Sequence, residues 1–155
     1  MSALKDRIKA DMVTAIKAQD DLARSTLRMA VSAIQNEEVA GKVARELSDA
    51  EVIAVLNREV AKRKDSAQAY TAGNRPELAA KEEAEVEILR RYLPAALTEA
   101  ELDEIVATEV SRAAEQAGAA PTMKQMGQVI KAVNATVAGR ADGATVAAKV
   151  KAALA

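Results

Sequence analysis

The chain has 155 residues, a formal net charge of −1, and 50% hydrophobic and 29% charged residues. It contains no His, Cys, Trp or Phe, which removes the usual proton shuttle, the usual thiolate nucleophile, the commonest zinc ligands and most base-stacking rings. Such a composition suits one sizeable domain or two small ones that hold a partner, with no catalytic residues and no cofactor expected.

Zero cysteine fits a reducing compartment. The charged N-terminal stretch MSALKDRIKADM lacks the apolar core of a signal peptide. No run of about 18 apolar residues occurs, so neither a membrane span nor a membrane partner is expected. The cytoplasm is the expected location. A net charge near zero argues against tight, autonomous nucleic-acid binding, which draws its affinity from neutralised phosphates.

Taken in chain order, the periodicity predicts helices throughout and no half-buried strand. Leu4, Ile8, Met12 and Ile16 recur at four-residue steps and predict a first helix from about Ser2 to Ala18. Asp20 or Asp21 suits the cap of a second helix with Leu27, Ala30, Val31 and Ile34 inward. Ser48-Asp49-Ala50-Glu51 is a capping box that opens a third helix, with Ile53, Leu56, Val60 and Ala67 on its apolar face. Gly73 is the expected left-handed stop, and Pro76 fits the first turn of a fourth helix that ends before Pro94.

A second capping box, Thr98-Glu99-Ala100-Glu101, opens a fifth helix ending at Gly118 and Pro121. A sixth starts at Pro121 or Thr122 with Met123, Met126, Ile130, Val133 and Val137 inward. After the turn Gly139-Arg140-Ala141-Asp142-Gly143, Asp142 caps a seventh helix bearing Val146, Val150 and Leu154. The expected fold is all-α: an N-terminal helical domain over residues 1–94 and a small three-helix domain over 98–155.

Four side-chain groups are candidates for chemistry. Arg58, Lys62, Arg63 and Lys64 form the densest positive cluster, with Ser66 and Tyr70 further along the same helix. They read either as an anion or partner surface or as a solvated, ion-paired face, since Glu59 precedes Arg63 by four residues. Glu82, Glu83, Glu85 and Glu87 read as solvated helix surface, because no His is present to complete a di-metal site. Ser25, Ser32, Ser66 and Ser111 have no His to activate them and read as structural. In the last third, an acidic helix precedes a basic end carrying Lys124, Lys131, Arg140, Lys149 and Lys151. That end reads as a phosphate-contacting surface or as an ordinary helix hairpin with exposed lysines.

Five segments, in order, resemble the GatB/YqeY family, specifically its stand-alone YqeY-like proteins. They are Leu27-Arg28-Met29 with Ile34-Gln35-Asn36-Glu37-Glu38; Leu47-Ser48-Asp49-Ala50-Glu51 with Arg58-Glu59 through Lys62-Arg63-Lys64-Asp65-Ser66; Glu87-Ile88-Leu89-Arg90-Arg91-Tyr92-Leu93-Pro94; Met126-Gly127-Gln128-Val129; and Gly139-Arg140-Ala141-Asp142-Gly143. The resemblance implies a tail domain like that of the glutamine-dependent tRNA amidotransferase, where the tail grips the tRNA body while ammonia production and activation occur elsewhere. A family label of carbon–nitrogen ligase with glutamine as amido donor then describes the relatives' complex. Gly127 would permit close helix packing or close approach of a phosphate backbone, and Arg140 with the amides around Gly143 would meet phosphate. Thr136, Ala138 and Ala144 are neutral where the family often carries bases.

Two partner classes follow. An RNA-contacting accessory protein would use Arg58, Lys62, Arg63, Lys124, Lys131 and Arg140 on tRNA phosphates. A protein-interaction module would dock on a translation-related protein through Arg28, Asn36, Glu37, Lys62, Arg63 and Tyr70. The sequence fixes no oligomeric state.

Overall fold

A computed structural model describes all 155 residues. It is all-helical, with α1 (Ala3–Lys17), α2 (Asp21–Val39), α3 (Asp49–Ala72), α4 (Pro76–Arg90), α5 (Glu99–Ala117), α6 (Met126–Val137) and α7 (Gly143–Leu154). A short 3-10 turn, Met123–Gln125, leads into α6. The chain forms two compact units, Met1–Leu93 and Pro94–Ala155.

The helix starts are set by side-chain caps. Ser2, Asp20, Ser48, Thr98 and Asp142 each accept from a backbone amide in the first turn of the helix that follows, satisfying donors a helix leaves orphaned. At Ser48 and Thr98 the box is complete, because Glu51 and Glu101 reach back to the cap amides at 2.9 and 2.8 Å. A hydrogen bond from Arg45 and another from the Ser48 amide pull the Glu51 carboxyl down to about 2.

In the N-terminal unit, α1 pairs with α2, α3 pairs with α4, and α2 packs on both α3 and α4. Ile8, Ile34, Leu47, Val52, Leu56 and Leu89 are the large, fully enclosed side chains at the centre. Tyr92, just past α4, donates its hydroxyl to Asp11 at 2.6 Å while Arg7 lies 4.9 Å above its ring. Burial and the Asp11 hydrogen bond together push the Tyr92 hydroxyl up to about 12. Lys5 on α1 donates to both oxygens of Glu38 on α2 at 2.6 and 2.7 Å.

The C-terminal unit is a three-helix cluster around Leu102, Val106, Val129, Val133, Val137, Val146 and Val150. Lys149 on α7 reaches Glu99 and Asp103 on α5 at 3.2 and 2.6 Å. Thr136 on α6 donates to the buried Glu109 of α5 at 3.2 Å.

Four local expectations are corrected. Ile16 is 50% exposed and Ala15 is buried in its place, because each four-residue step rotates about 40° and three steps carry residue 16 off the core-facing stripe. Gly73 has φ −83°, and the left-handed position belongs to Asn74 at φ 57°, which Asn tolerates through its short polar side chain. Met123 is exposed because the 3-10 turn sets it outside the α6 stripe, and Val129 fills the core instead. Glu85 is buried and not solvated surface, because the buried Arg63 donates to it at 2.9 Å.

Thr26, on α2, is fully buried and its Oγ1 has no hydrogen-bond partner. An unpaired buried hydroxyl costs free energy that a methyl group does not. Thr26→Val is expected to raise the unfolding free energy by about 1 kcal/mol, read as a higher urea midpoint at unchanged slope.

Candidate functional site

The helix α3 carries two kinds of cation, and packing separates them. Arg63 is 3% exposed. Its Nε donates to Glu85 of α4 at 2.9 Å, and its Nη1 donates to the Glu59 carboxylate at 2.9 Å and the Glu59 carbonyl at 3.1 Å. Its Nη2 meets the Met29 thioether of α2 at 3.8 Å. Glu59 is also bound by Lys62 at 2.9 Å. Burial pushes the Glu59 carboxyl up, but hydrogen bonds from Arg63 and Lys62 outweigh it and hold the group below its ordinary 4.5.

Arg63 is therefore withdrawn from the surface set to which the sequence assigned it. A buried guanidinium forked between two carboxylates holds α3 to α4 and offers nothing to a phosphate. Glu85 was missed as its partner, although Leu78, Glu85 and Leu89 share an apolar stripe. An acid on such a stripe needs a buried cation.

Five of the sequence-predicted residues do come together. Arg28, Asn36, Glu37, Arg58 and Lys62 line one open groove of about 470 Å³ between α2 and α3. Its remaining walls are Met29, Ser32, Ala33, Val55 and Glu59, which periodicity alone did not single out. Arg58 pairs with Glu37 across the groove at 2.8 Å. Ser66 and Tyr70, half-buried further along α3, do not line it.

The C-terminal candidates separate in the same manner. Arg140 donates from Nε to the Ala95 carbonyl at 3.0 Å, and its own carbonyl accepts from Leu97 at 2.9 Å, so it staples the turn to the start of the unit. Gly143 opens α7, but the Asp142 carboxylate already accepts from the Thr145 amide and hydroxyl at 3.1 and 2.9 Å. An acid thus stands at the position a phosphate would take. Lys124, in the 3-10 turn, and Gly127, Gln128 and Lys131, on α6, are all exposed. Neither lysine has an ion pair, and no acid occurs from Pro121 to Ala141. A Cβ built on Gly127 meets no atom within 4 Å, so internal packing does not demand glycine there. No group of three or more acidic side chains is arranged to hold a metal ion, and no helix is long and apolar enough to cross a membrane.

A two-unit, all-helical chain with this order of capping boxes and charged segments defines a recognisable class. The family model described as Yqey-like protein matches residues 5–154, and the chain belongs to that family. It is 35% identical over 98 residues to altered inheritance of mitochondria protein 41 of Saccharomyces cerevisiae, covering 62% of this chain and 51% of that protein. The corresponding protein of Lachancea thermotolerans is 34% identical over 99 residues, covering 62% and 52%. That of Vanderwaltozyma polyspora is 34% identical over 86 residues, covering 56% and 46%. The chain spans about half the length of the curated relatives it matches. Those relatives are mitochondrial proteins by name.

Arg63→Met is expected to cost about 3–5 kcal/mol of stability, because it strands two buried carboxylates, whereas Lys62→Ala, at a 71% exposed side chain, costs under about 1 kcal/mol. Urea denaturation of the two variants checks the contrast. The depressed Glu59 carboxyl also sets an acid limit. A group whose folded pKa lies below its unfolded value stabilises the fold fully above the unfolded value, here 4.5, and loses that contribution as pH falls through the folded one. The urea midpoint is expected to decline below pH 4.5, and to decline less in Glu59→Gln.

Proposed function

We propose that this chain is an accessory binding protein that contacts tRNA through the exposed side of α6 and the 3-10 turn that leads into it. The resemblance to the tail of the glutamine-dependent amidotransferase supplies the partner class. The supporting observation is the acid-free stretch 121–141, where Lys124 and Lys131 stand exposed without ion pairs. They are seven residues apart, on the order of 10 Å along the 3-10 turn and the first turns of α6, which suits phosphates of one RNA backbone. Gly127 between them leaves room for that backbone to come close, with Gln128 as an added hydrogen-bond donor.

Contacts of this kind are few, so binding is weak and governed by salt. Each phosphate neutralised contributes nearly one unit to the slope of log affinity against log salt. Two or three contacts therefore predict a loss of about 10- to 40-fold between about 50 and 200 mM salt. Arg58 and Lys62 of α3 contribute little, because they are already paired with Glu37 and Glu59. No bond-making step is assigned to the chain; catalysis in such an assembly would belong to its partners.

Gel retardation of unfractionated tRNA tests the proposal. Lys124→Glu with Lys131→Glu is expected to weaken retardation by about tenfold or more, and Gly127→Leu to weaken it without lowering the melting temperature. Retention of full binding by the double variant, or a salt-independent affinity, would overturn the assignment.

A further inference from the structure

The groove between α2 and α3 has a composition that the α6 face lacks. Three of its lining residues, Met29, Ala33 and Val55, are apolar, and Met29 is 54% exposed. An exposed, unbranched thioether side chain can repack around an apolar partner side chain. The α2 wall from Arg28 to Glu37 is about 14 Å long, or two and a half helical turns.

Charge gives the groove a direction. At one end Arg58 and Glu37 neutralise each other, and midway Lys62 and Glu59 do the same. Arg28, at the other end, is exposed and has no ion pair. The groove therefore holds one cation more than its acids can match, with the apolar side chains of Met29, Ala33 and Val55 in the same lining. A nucleic acid would bring a row of phosphates to a groove with a single unmatched cation, because Arg58 and Lys62 are already committed to Glu37 and Glu59. A peptide with one carboxylate and an apolar face needs only that one cation.

We propose that this groove docks an amphipathic helical segment of a partner protein, with the segment's apolar side chains on Met29, Ala33 and Val55 and one of its carboxylates on Arg28. The site is separate from the α6 face and does not depend on tRNA binding. Helix-in-groove recognition places anchors three and four residues apart on the incoming helix, matching the spacing of Met29, Ala33 and Asn36 on α2. The carboxylate sets which way round the segment lies.

The probe is a fluorescein-labelled peptide of about three helical turns, with leucines three and four residues apart and one glutamate, together with a twin carrying glutamine instead. Fluorescence anisotropy is measured on the full chain. The glutamate peptide is expected to bind about fivefold or more tightly than its twin, and Arg28→Gln, at an exposed position, is expected to erase that preference. Ser32→Glu on the groove wall is expected to weaken both peptides, and Lys131→Glu to weaken neither. Equal binding of the twins, a preference that survives Arg28→Gln, or the absence of saturable binding would overturn the proposal. Displacement of the peptide by tRNA that Arg28→Gln abolishes would assign the groove to nucleic acid instead.

Discussion

Arg63 enters the interior of the N-terminal unit with its Nε on Glu85 and its Nη1 on Glu59, so α3 and α4 cannot slide past each other without stranding a charge. Taking an ion out of water costs several kcal/mol even after the protein relaxes, and only close partners with good geometry offset it. That requirement fixes the register of the α3–α4 pair. It also reaches α2, because the remaining guanidinium nitrogen lies against Met29. The groove that Met29 lines is shaped by the same arrangement.

Once Arg63 is committed, the other cations fall into two populations. Lys5, Arg58, Lys62 and Lys149 are paired with acids on the same or neighbouring helices, and they contribute to folding or to local screening. Arg28, Lys124 and Lys131 belong to the cations without an ion pair, together with Lys9, Lys17, Lys42, Lys64, Lys81, Arg91, Arg140 and Lys151. A near-neutral chain can thus present local positive charge without a basic excess overall, because its acids lie mostly elsewhere, on α5 and along α3 and α4. The net charge of −1 sets the average, and pairing sets what a partner meets.

The helical fold was legible because helix starts are written locally. Ser48 with Glu51 and Thr98 with Glu101 need only four residues to declare themselves, and both boxes form. The candidate site was legible in part: Arg28, Asn36, Glu37, Arg58 and Lys62 share a groove. Arg63 was misplaced because spacing along one helix cannot say which face a second helix will cover. Its partner Glu85 lies 22 residues away, beyond the reach of any i,i+4 rule. Gly73 misled for a related reason, since the turn needed its left-handed residue one position later, at Asn74. The exposed Ile16 shows that a strict four-residue repeat drifts around a helix of 3.6 residues per turn.

The central claim is that Lys124 and Lys131, two of the cations that folding leaves without an ion pair, are the ones that meet tRNA. Mapping backbone amide shifts of the full chain during a tRNA titration tests it most directly. The account predicts perturbations along α6, centred on Lys124, Gly127 and Lys131, with the amides from Arg58 to Ser66 unmoved. Perturbations confined to Arg58–Ser66, with α6 silent, would contradict it.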